Sequence, residues 1–353
     1  MGLSLYWAWL LTWRAGGTQR ESSPGVGVVP PVVSAVVPTC ARPDLVCRAV
    51  TSALGQTLRD IEVITVVAAQ DPLTEIALAG ITDPRLRVIP YRGRLNPSAA
   101  RNRGVSAARG SWVAFLDDDD VWMPEKLERQ LAAAQACRVE YPIISCRLIA
   151  HSSDGEFLWP KRLPDIDEPV GEYLFRRRSL FGGGGFLQTS TLFAPRKLWL
   201  KTPFREDLPR AEDLDWVLRT SRVSGTAFRF AGEDPLVVWD IDDDRPRASA
   251  EGSWRDYAAW IADSHDLVSR EAYASYLLTW VSAEAARAGA GRHSFVALWR
   301  QARTGGNPAL LDILVHLGHW ILPHRWRRRL SAWVSRPPRT AISIAKIVRN
   351  GDF

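Results

Sequence analysis

Residues 111–122 read SWVAFLDDDDVW. An apolar run ends in four consecutive carboxylates, Asp117–Asp120, and a Val121-Trp122 pair follows. Adjacent like charges repel and cannot be buried together without partners. The run therefore belongs where a strand leaves its sheet. In open α/β sheets that edge, beyond the carboxyl ends of the strands, is where ligands bind.

The flanking sequence supplies such a sheet. VSAVVP (33–38) is β-rich, and residues 43–54 read as a helix with Pro43 in its first turn. IEVITVV (61–67) reads as a second strand, buried on both faces. A short helix, DPLTEIALAGI, and a third strand, RLRVIPY (85–91), follow. NPSAARNRGVSAARG reads as a helix capped by Asn96, with Pro97 first and Gly110 at its end. SWVAFL (111–116) is the fourth strand, and Pro124 opens the helix PEKLERQLAAAQA. This alternation predicts an α/β fold with a mostly parallel central sheet flanked by helices. Pro38-Thr39 and Asp117–Asp120 then share one edge of the sheet.

Past residue 150 the alternation weakens. Gly182–Gly185 marks a loop, and residues 210–223 read as a helix with acids at its start, favourable for the helix dipole. Beyond residue 254 the pattern is helical. The expected organisation is an N-terminal extension (1–31), a main α/β domain (32–250) and a helical, basic C-terminal region (251–353).

Composition narrows the class. The chain has 353 residues, 46% of them hydrophobic and 24% charged, as in a folded globular protein. Its four cysteines, Cys40, Cys47, Cys137 and Cys146, have no metal-like spacing, which predicts reduced thiols in a cytoplasmic protein. MGLSLYWAWLLTW is apolar up to Arg14 but shorter than the ~20 residues of a membrane span. It reads as an interfacial anchor or a plain tail. From residue 313 onward eight basic residues face one acid, +7, which leaves −1 for residues 1–312 of a chain whose net charge is +6. A basic groove through the main domain, and with it nucleic-acid binding, is disfavoured.

In residues 307–323, Leu310, Ile313, Leu314, Leu317 and Ile321 recur at helical spacing, and HRWRRRLSAWVSR follows. An apolar face beside clustered arginines and tryptophans fits peripheral contact with an anionic membrane surface. A helix packed on the domain with an exposed basic end fits as well.

Asp-x-Asp at a strand end puts two carboxylates on one side of the chain. Such a pair can hold Mn²⁺ or Mg²⁺, which takes one or two carboxylates together with phosphate oxygens. A solvated acidic loop that starts the next helix is the plainer alternative.

The neighbouring motifs decide between them. Ala100-Arg101-Asn102, Gly110, Asp117–Asp120 and Trp122-Met-Pro-Glu-Lys-Leu127 stand in one stretch, preceded by Val36-Val37-Pro38-Thr39 and Arg42-Pro43. This combination resembles the inverting, nucleotide-sugar-dependent glycosyltransferases of family 2, which have the GT-A fold. The resemblance covers residues 33–245. It implies that Pro38, Thr39 and Arg42 line the nucleotide pocket, and that Arg101 and Asn102 lie near the nucleotide or its diphosphate. Asp117 and Asp118 would meet ribose or sugar hydroxyls, Asp119 would hold the metal, and Asp120 would support the turn. Glu212-Asp213, followed by Trp216, matches the family's second acidic site, with Asp213 as general base and Glu212 as the adjacent alternative. Trp216, Arg245 and Arg247 are weaker candidates for acceptor or loop contacts. One departure stands out. The family's second strand usually ends in an acid that holds the nucleotide base, whereas here it ends Val66-Val67-Ala68-Ala69-Gln70, with no acid before Asp71. Asp71 or Gln70 would have to take that part.

The reading is a metal-dependent inverting glycosyltransferase that moves a sugar from a nucleotide-diphosphate sugar to a hydroxyl of a glycan, lipid-linked or small-molecule acceptor. Its site of action would be the cytoplasm or the cytoplasmic face of a membrane. One rival is a catalytically silent sugar-nucleotide or polysaccharide-binding protein. The other is a nucleotidyltransferase, which would carry a Gly-rich basic loop where TCARPD stands.

Overall fold

The strand predicted over residues 33–38 forms β1, Val33–Thr39, which is buried along nearly its whole length. Val33, Ala35 and Val37 join one hydrophobic cluster while Val36 joins the other, the period-2 alternation of a strand covered on both faces. The computed structural model describes residues 30–92, 96–152, 155–180, 185–241 and 253–321.

The remaining strands are β2 (Ile61–Ala68), β3 (Leu86–Tyr91), β4 (Trp112–Phe115), β5 (Val121–Trp122), β6 (Tyr141–Ser152), β7 (Gly155–Trp159), β8 (Phe193–Pro195) and β9 (Thr226–Asp240). The helices are α1 (Pro43–Leu54), α2 (Pro72–Ala79), α3 (Pro97–Ala107), α4 (Lys126–Ala136), α5 (Val170–Phe175), α6 (Arg196–Lys201) and α7 (Glu212–Ser221) in the first two-thirds. Then come α8 (Trp254–Asp263), α9 (Arg270–Tyr276), α10 (Ser282–Arg287), α11 (Arg292–Gly305) and α12 (Leu310–Ile321). The sheet runs β3-β2-β1-β4-β8-β6-β9-β5, with β7 paired to β6. It is parallel through β3-β2-β1-β4, turns antiparallel at β8, and is parallel again between β6 and β9.

Local chemistry sets the elements that matter for the site. Asn96 caps α3 by accepting from the N–H groups of Ser98 and Ala99, with Pro97 in the first turn. The helix stops at Ala107, before Gly110. That glycine serves another purpose: a Cβ there would lie 2.7 Å from the Ser34 backbone nitrogen. Gly110 lets the chain pass against β1 on its way into β4. The strands β5 to β9 carry most of the difference from the sequence pattern. β5 is only two residues long, and Gly232 and Pro235 break the apolar pattern of β9.

The expected boundary at residue 250 does not divide the packing. One hydrophobic cluster runs from Val36 of β1 through Trp199 and Trp216 to Leu298 and Ala302 of α11. Trp199 and Trp216 stack at its centre with ring centroids 3.5 Å apart. α12 is fixed on its inner side by Asp312, which accepts from the Ser275 hydroxyl at 2.7 Å. Its other side shows Leu310, Leu314, Leu317 and Ile321, all exposed. Among the described residues no helix is long and apolar enough to cross a membrane. The expectations for residues 1–29 and for the basic segment after residue 321 fall outside the described residues.

Candidate active site

At the carboxyl ends of β1 and β4 lies a cavity of about 1190 Å³. Both acidic motifs reach it: Asp117, Asp118 and Asp119 from the loop after β4, and Glu212 and Asp213 from the first turn of α7. Pro38, Thr39 and Arg42 line it from the loop after β1.

The four aspartates divide by environment. Asp118 is nearly buried; it accepts from the Thr39 hydroxyl at 2.8 Å and from Arg42 Nη1 at 2.9 Å. Burial pushes its carboxyl up to about 6 against the pull of Arg42. Asp119 lies 3.2 Å from the same Arg42 nitrogen, and its backbone carbonyl accepts from Arg48 at 2.7 Å. Asp117 accepts from Arg101 Nη2 at 2.6 Å and from Gln188 Nε2 at 3.2 Å. Asp120 is fully buried, with Oδ2 accepting from the Ser190 hydroxyl at 2.6 Å and Gln188 at 2.7 Å. Burial, and then the charges of Asp119 and Asp117, raise its carboxyl well above the usual range. Asp120 thus ties the acidic loop to the Gln188–Ser190 segment.

Arg101 joins the two acidic motifs. Its guanidinium, 4% exposed, donates to Asp117 at 2.6 Å and to Glu212 at 3.1 Å. Burial alone would favour its neutral form, but the charges of Asp117 and Glu212 outweigh burial and hold the proton more firmly. The resemblance placed Arg101 near the diphosphate; in the structure the Nη groups contact carboxylates. Next to it, Asp213 is pushed up to about 7 by burial and by the charge of Glu212, against the opposing pull of the Leu214 N–H and Arg101.

Three expected site residues lie elsewhere. Asp71 does not line the cavity. It caps α2 and accepts from the Ala41 N–H at 2.6 Å, so it shapes the loop after β1, where Ala41 has φ 53°. Asn102 uses both ends of its amide on the Phe204 backbone, at 2.9 and 3.0 Å. Trp216 is fully buried and donates to the Thr202 carbonyl. Its spacing after Glu212-Asp213 marks the core face of α7. Arg245 and Arg247 lie outside the described residues.

The structure also adds residues that carried no motif. Gln188 and Ser190, just after the glycine run, position Asp117 and Asp120. Tyr257, Trp280, Glu284, Arg287 and His319 bring the C-terminal helices into the cavity wall. Only the long-range packing of α8 to α12 could reveal them.

Comparison with known proteins places part of the chain in a family. Residues 34–198 match the family model described as Glycosyl transferase family 2. Over 161 residues the chain is 34% identical to the succinoglycan biosynthesis protein ExoO of Rhizobium meliloti, covering 43% of this chain and 46% of that protein. It is 33% identical over 144 residues to the amylovoran biosynthesis glycosyltransferase AmsB of Erwinia amylovora, covering 39% and 46%. With the UDP-Glc:alpha-D-GlcNAc-diphosphoundecaprenol beta-1,3-glucosyltransferase WfgD of Escherichia coli it shares 24% identity over 133 residues, covering 37% and 53%. The chain thus spans about half the length of the curated relatives it matches. A crystal structure of S. aureus TarS 1-349 in complex with UDP-GlcNAc aligns over 90% of this chain and 92% of that one, at 15% identity and a TM-score of 0.48. The motifs of β1, α3 and β4 fall inside the match over residues 34–198, and that segment is a glycosyl transferase family 2 domain.

Proposed function

We propose that the chain is an inverting glycosyltransferase of polysaccharide assembly, moving a sugar from a nucleotide-diphosphate sugar to an acceptor hydroxyl. The observation that supports this most is that both acidic motifs open into one cavity and are joined there by Arg101. Asp213 takes the acceptor hydroxyl's proton, and its raised affinity for a proton suits a base working near neutral pH. The hydroxyl oxygen attacks the anomeric carbon on the face opposite the diphosphate. As the new C–O bond forms, the bond from anomeric carbon to phosphate oxygen breaks, and the diphosphate leaves with the electron pair. Thr39, Arg42 and Asp118, already bonded to one another, hold the nucleotide side. Asp117, fixed by Arg101 and Gln188, orients the transferred sugar.

A divalent cation fits the donor set. Among the described residues no group of three potential ligands gathers, and a hard cation bound by one carboxylate draws the rest of its shell from diphosphate oxygens and water. Asp119, on the cavity wall beside Arg42, would hold Mn²⁺ or Mg²⁺ in that way. When bound, the cation neutralises charge on the leaving diphosphate.

One relative's name describes a diphosphoundecaprenol-linked acceptor, and the exposed row Leu310, Leu314, Leu317 and Ile321 on α12 supports contact with a lipid surface here. A lipid-linked saccharide is therefore the acceptor form we favour.

The test is hydrolysis of a panel of nucleotide sugars with Mn²⁺. Wild type should release nucleoside diphosphate. Asp213→Asn should fall by about 10²–10⁴-fold while the donor still raises its melting temperature. Asp119→Asn should lose stimulation by Mn²⁺. Donor binding without turnover in wild type, across the panel, would instead support a silent binding module.

A further inference from the structure

The cavity is larger than one small ligand needs. Its volume of about 1190 Å³ exceeds the ~300–1,000 Å³ of typical ligand pockets. The donor residues account for one side only: Thr39 and Arg42 follow β1, and Asp117–Asp119 follow β4. On the other side the sheet continues β4-β8-β6-β9. At about 4.8 Å per strand, β6 lies two steps, or ~10 Å, from β4, away from the nucleotide side.

An aromatic wall stands there. β6 pairs Leu148 with Trp159 of β7 and Ala150 with Trp239 of β9. Leu148 and Ala150 are two residues apart, so both tryptophans project from one face of the sheet. Phe186 completes the group, with ring centroids 5.2 Å from Trp159 and 5.5 Å from Trp239, and the tryptophans are 5.8 Å apart. All three rings are only partly buried, and all three line the cavity. Two residues beyond Phe186, Gln188 donates to Asp117, so the platform and the donor carboxylate are held by one short segment. Lys161, two residues beyond Trp159, and Gln188 line the same cavity and bear polar groups. Flat apolar rings flanked by polar groups match a pyranose, which presents axial C–H bonds on its faces and hydroxyls around its edge.

We propose that Trp159, Phe186 and Trp239 form the platform on which a sugar ring of the acceptor stacks, so that the enzyme extends a saccharide. The inference rests on the transferase reading, which places the donor at Asp117–Asp119.

Binding is testable without turnover. Saturation-transfer NMR and calorimetry would measure cellotetraose, maltotetraose and laminaritetraose against wild type, Trp159→Leu, Trp239→Leu and Trp159→Phe. At least one tetrasaccharide should bind wild type, and the leucine variants should weaken it about tenfold. Trp159→Phe should recover part of the loss. Donor-induced thermal shift and acceptor-free donor hydrolysis should stay as in wild type. Wild type that binds none of the three at 10 mM would overturn the proposal. So would leucine variants with unchanged saccharide binding, or with a weakened donor shift, which would put the rings on the donor side. Saccharide binding through the platform in a protein that never hydrolyses a donor would refute the transferase reading and leave the platform intact.

Discussion

Replacing Arg101 by Met tests the joint between the two acidic motifs. The guanidinium is 4% exposed and sits 2.6 Å from Asp117 and 3.1 Å from Glu212. Removing one partner of a buried ion pair typically costs ~3–5 kcal/mol, because the other charge is left uncompensated. Here the two orphaned carboxylate side chains are each 24% exposed and face the water of the cavity, so the loss belongs at the low end, ~3 kcal/mol. Unfolding entropy of ~2.1 cal/mol/K per residue over the ~290 residues from Pro31 to Ile321 gives ~0.6 kcal/mol/K, hence a melting temperature lower by about 5 °C. A second effect is chemical. Arg101 opposes the rise of the Asp213 carboxyl, which already stands at about 7. Without that opposition the carboxyl binds its proton more tightly, and the acid limb of donor turnover moves to higher pH. Arg101→Lys keeps a charge but loses the fork that spans both carboxylates, so it should fall between wild type and Met. Calorimetry and a pH–rate profile are the assays. An Arg101→Met protein with its melting temperature within 1 °C of wild type and an unmoved pH midpoint would refute the joint.

Three further predictions concern the same framework. Turnover should fall as pH drops through about 7, where Asp213 gains its proton. Its stability effect has the opposite sense: a carboxyl raised from 3.8 to about 7 stabilises the fold while protonated, and that contribution disappears as pH rises between those values. Asp213→Asn should therefore melt higher than wild type at pH 8 and equal to it near pH 3, read by calorimetry at both. Asp120→Asn should be nearly neutral, since the buried carboxyl is raised and one oxygen already accepts both bonds. Asp120→Ala should cost ~1–3 kcal/mol in a denaturant melt by stranding Ser190 and Gln188. Gly110→Ala should cost ~1–3 kcal/mol by the same assay, because its Cβ would meet β1 backbone, which cannot yield as a side chain can.

The site was legible where its residues are fixed by local chemistry. Pro43 and Asn96 with Pro97 set the starts of α1 and α3, and SWVAFL ending in DDDD places carboxylates at a strand end. Family motifs then carried Asp117–Asp119 and Glu212-Asp213 to one cavity, as the structure has them. They failed for Asp71, Asn102 and Trp216, where a polar or aromatic residue beside a motif stabilises the loop or helix that bears it.

Sequence by itself determined the four strands β1 to β4 and the helices between them, the acidic strand end and the family resemblance. Each of these rests on contacts between near neighbours or on residue types in fixed order. Tertiary structure alone decided the rest. The four aspartates face different surroundings because Gln188 and Ser190 arrive from some 70 residues away. Arg101 spans from Asp117 to Glu212, 111 residues beyond it in the chain. Trp159 and Trp239 meet because both pair with β6, a short register choice no linear pattern records. FLDDDDVW specifies a place for charge, and the chain that folds back on it assigns each carboxylate its task.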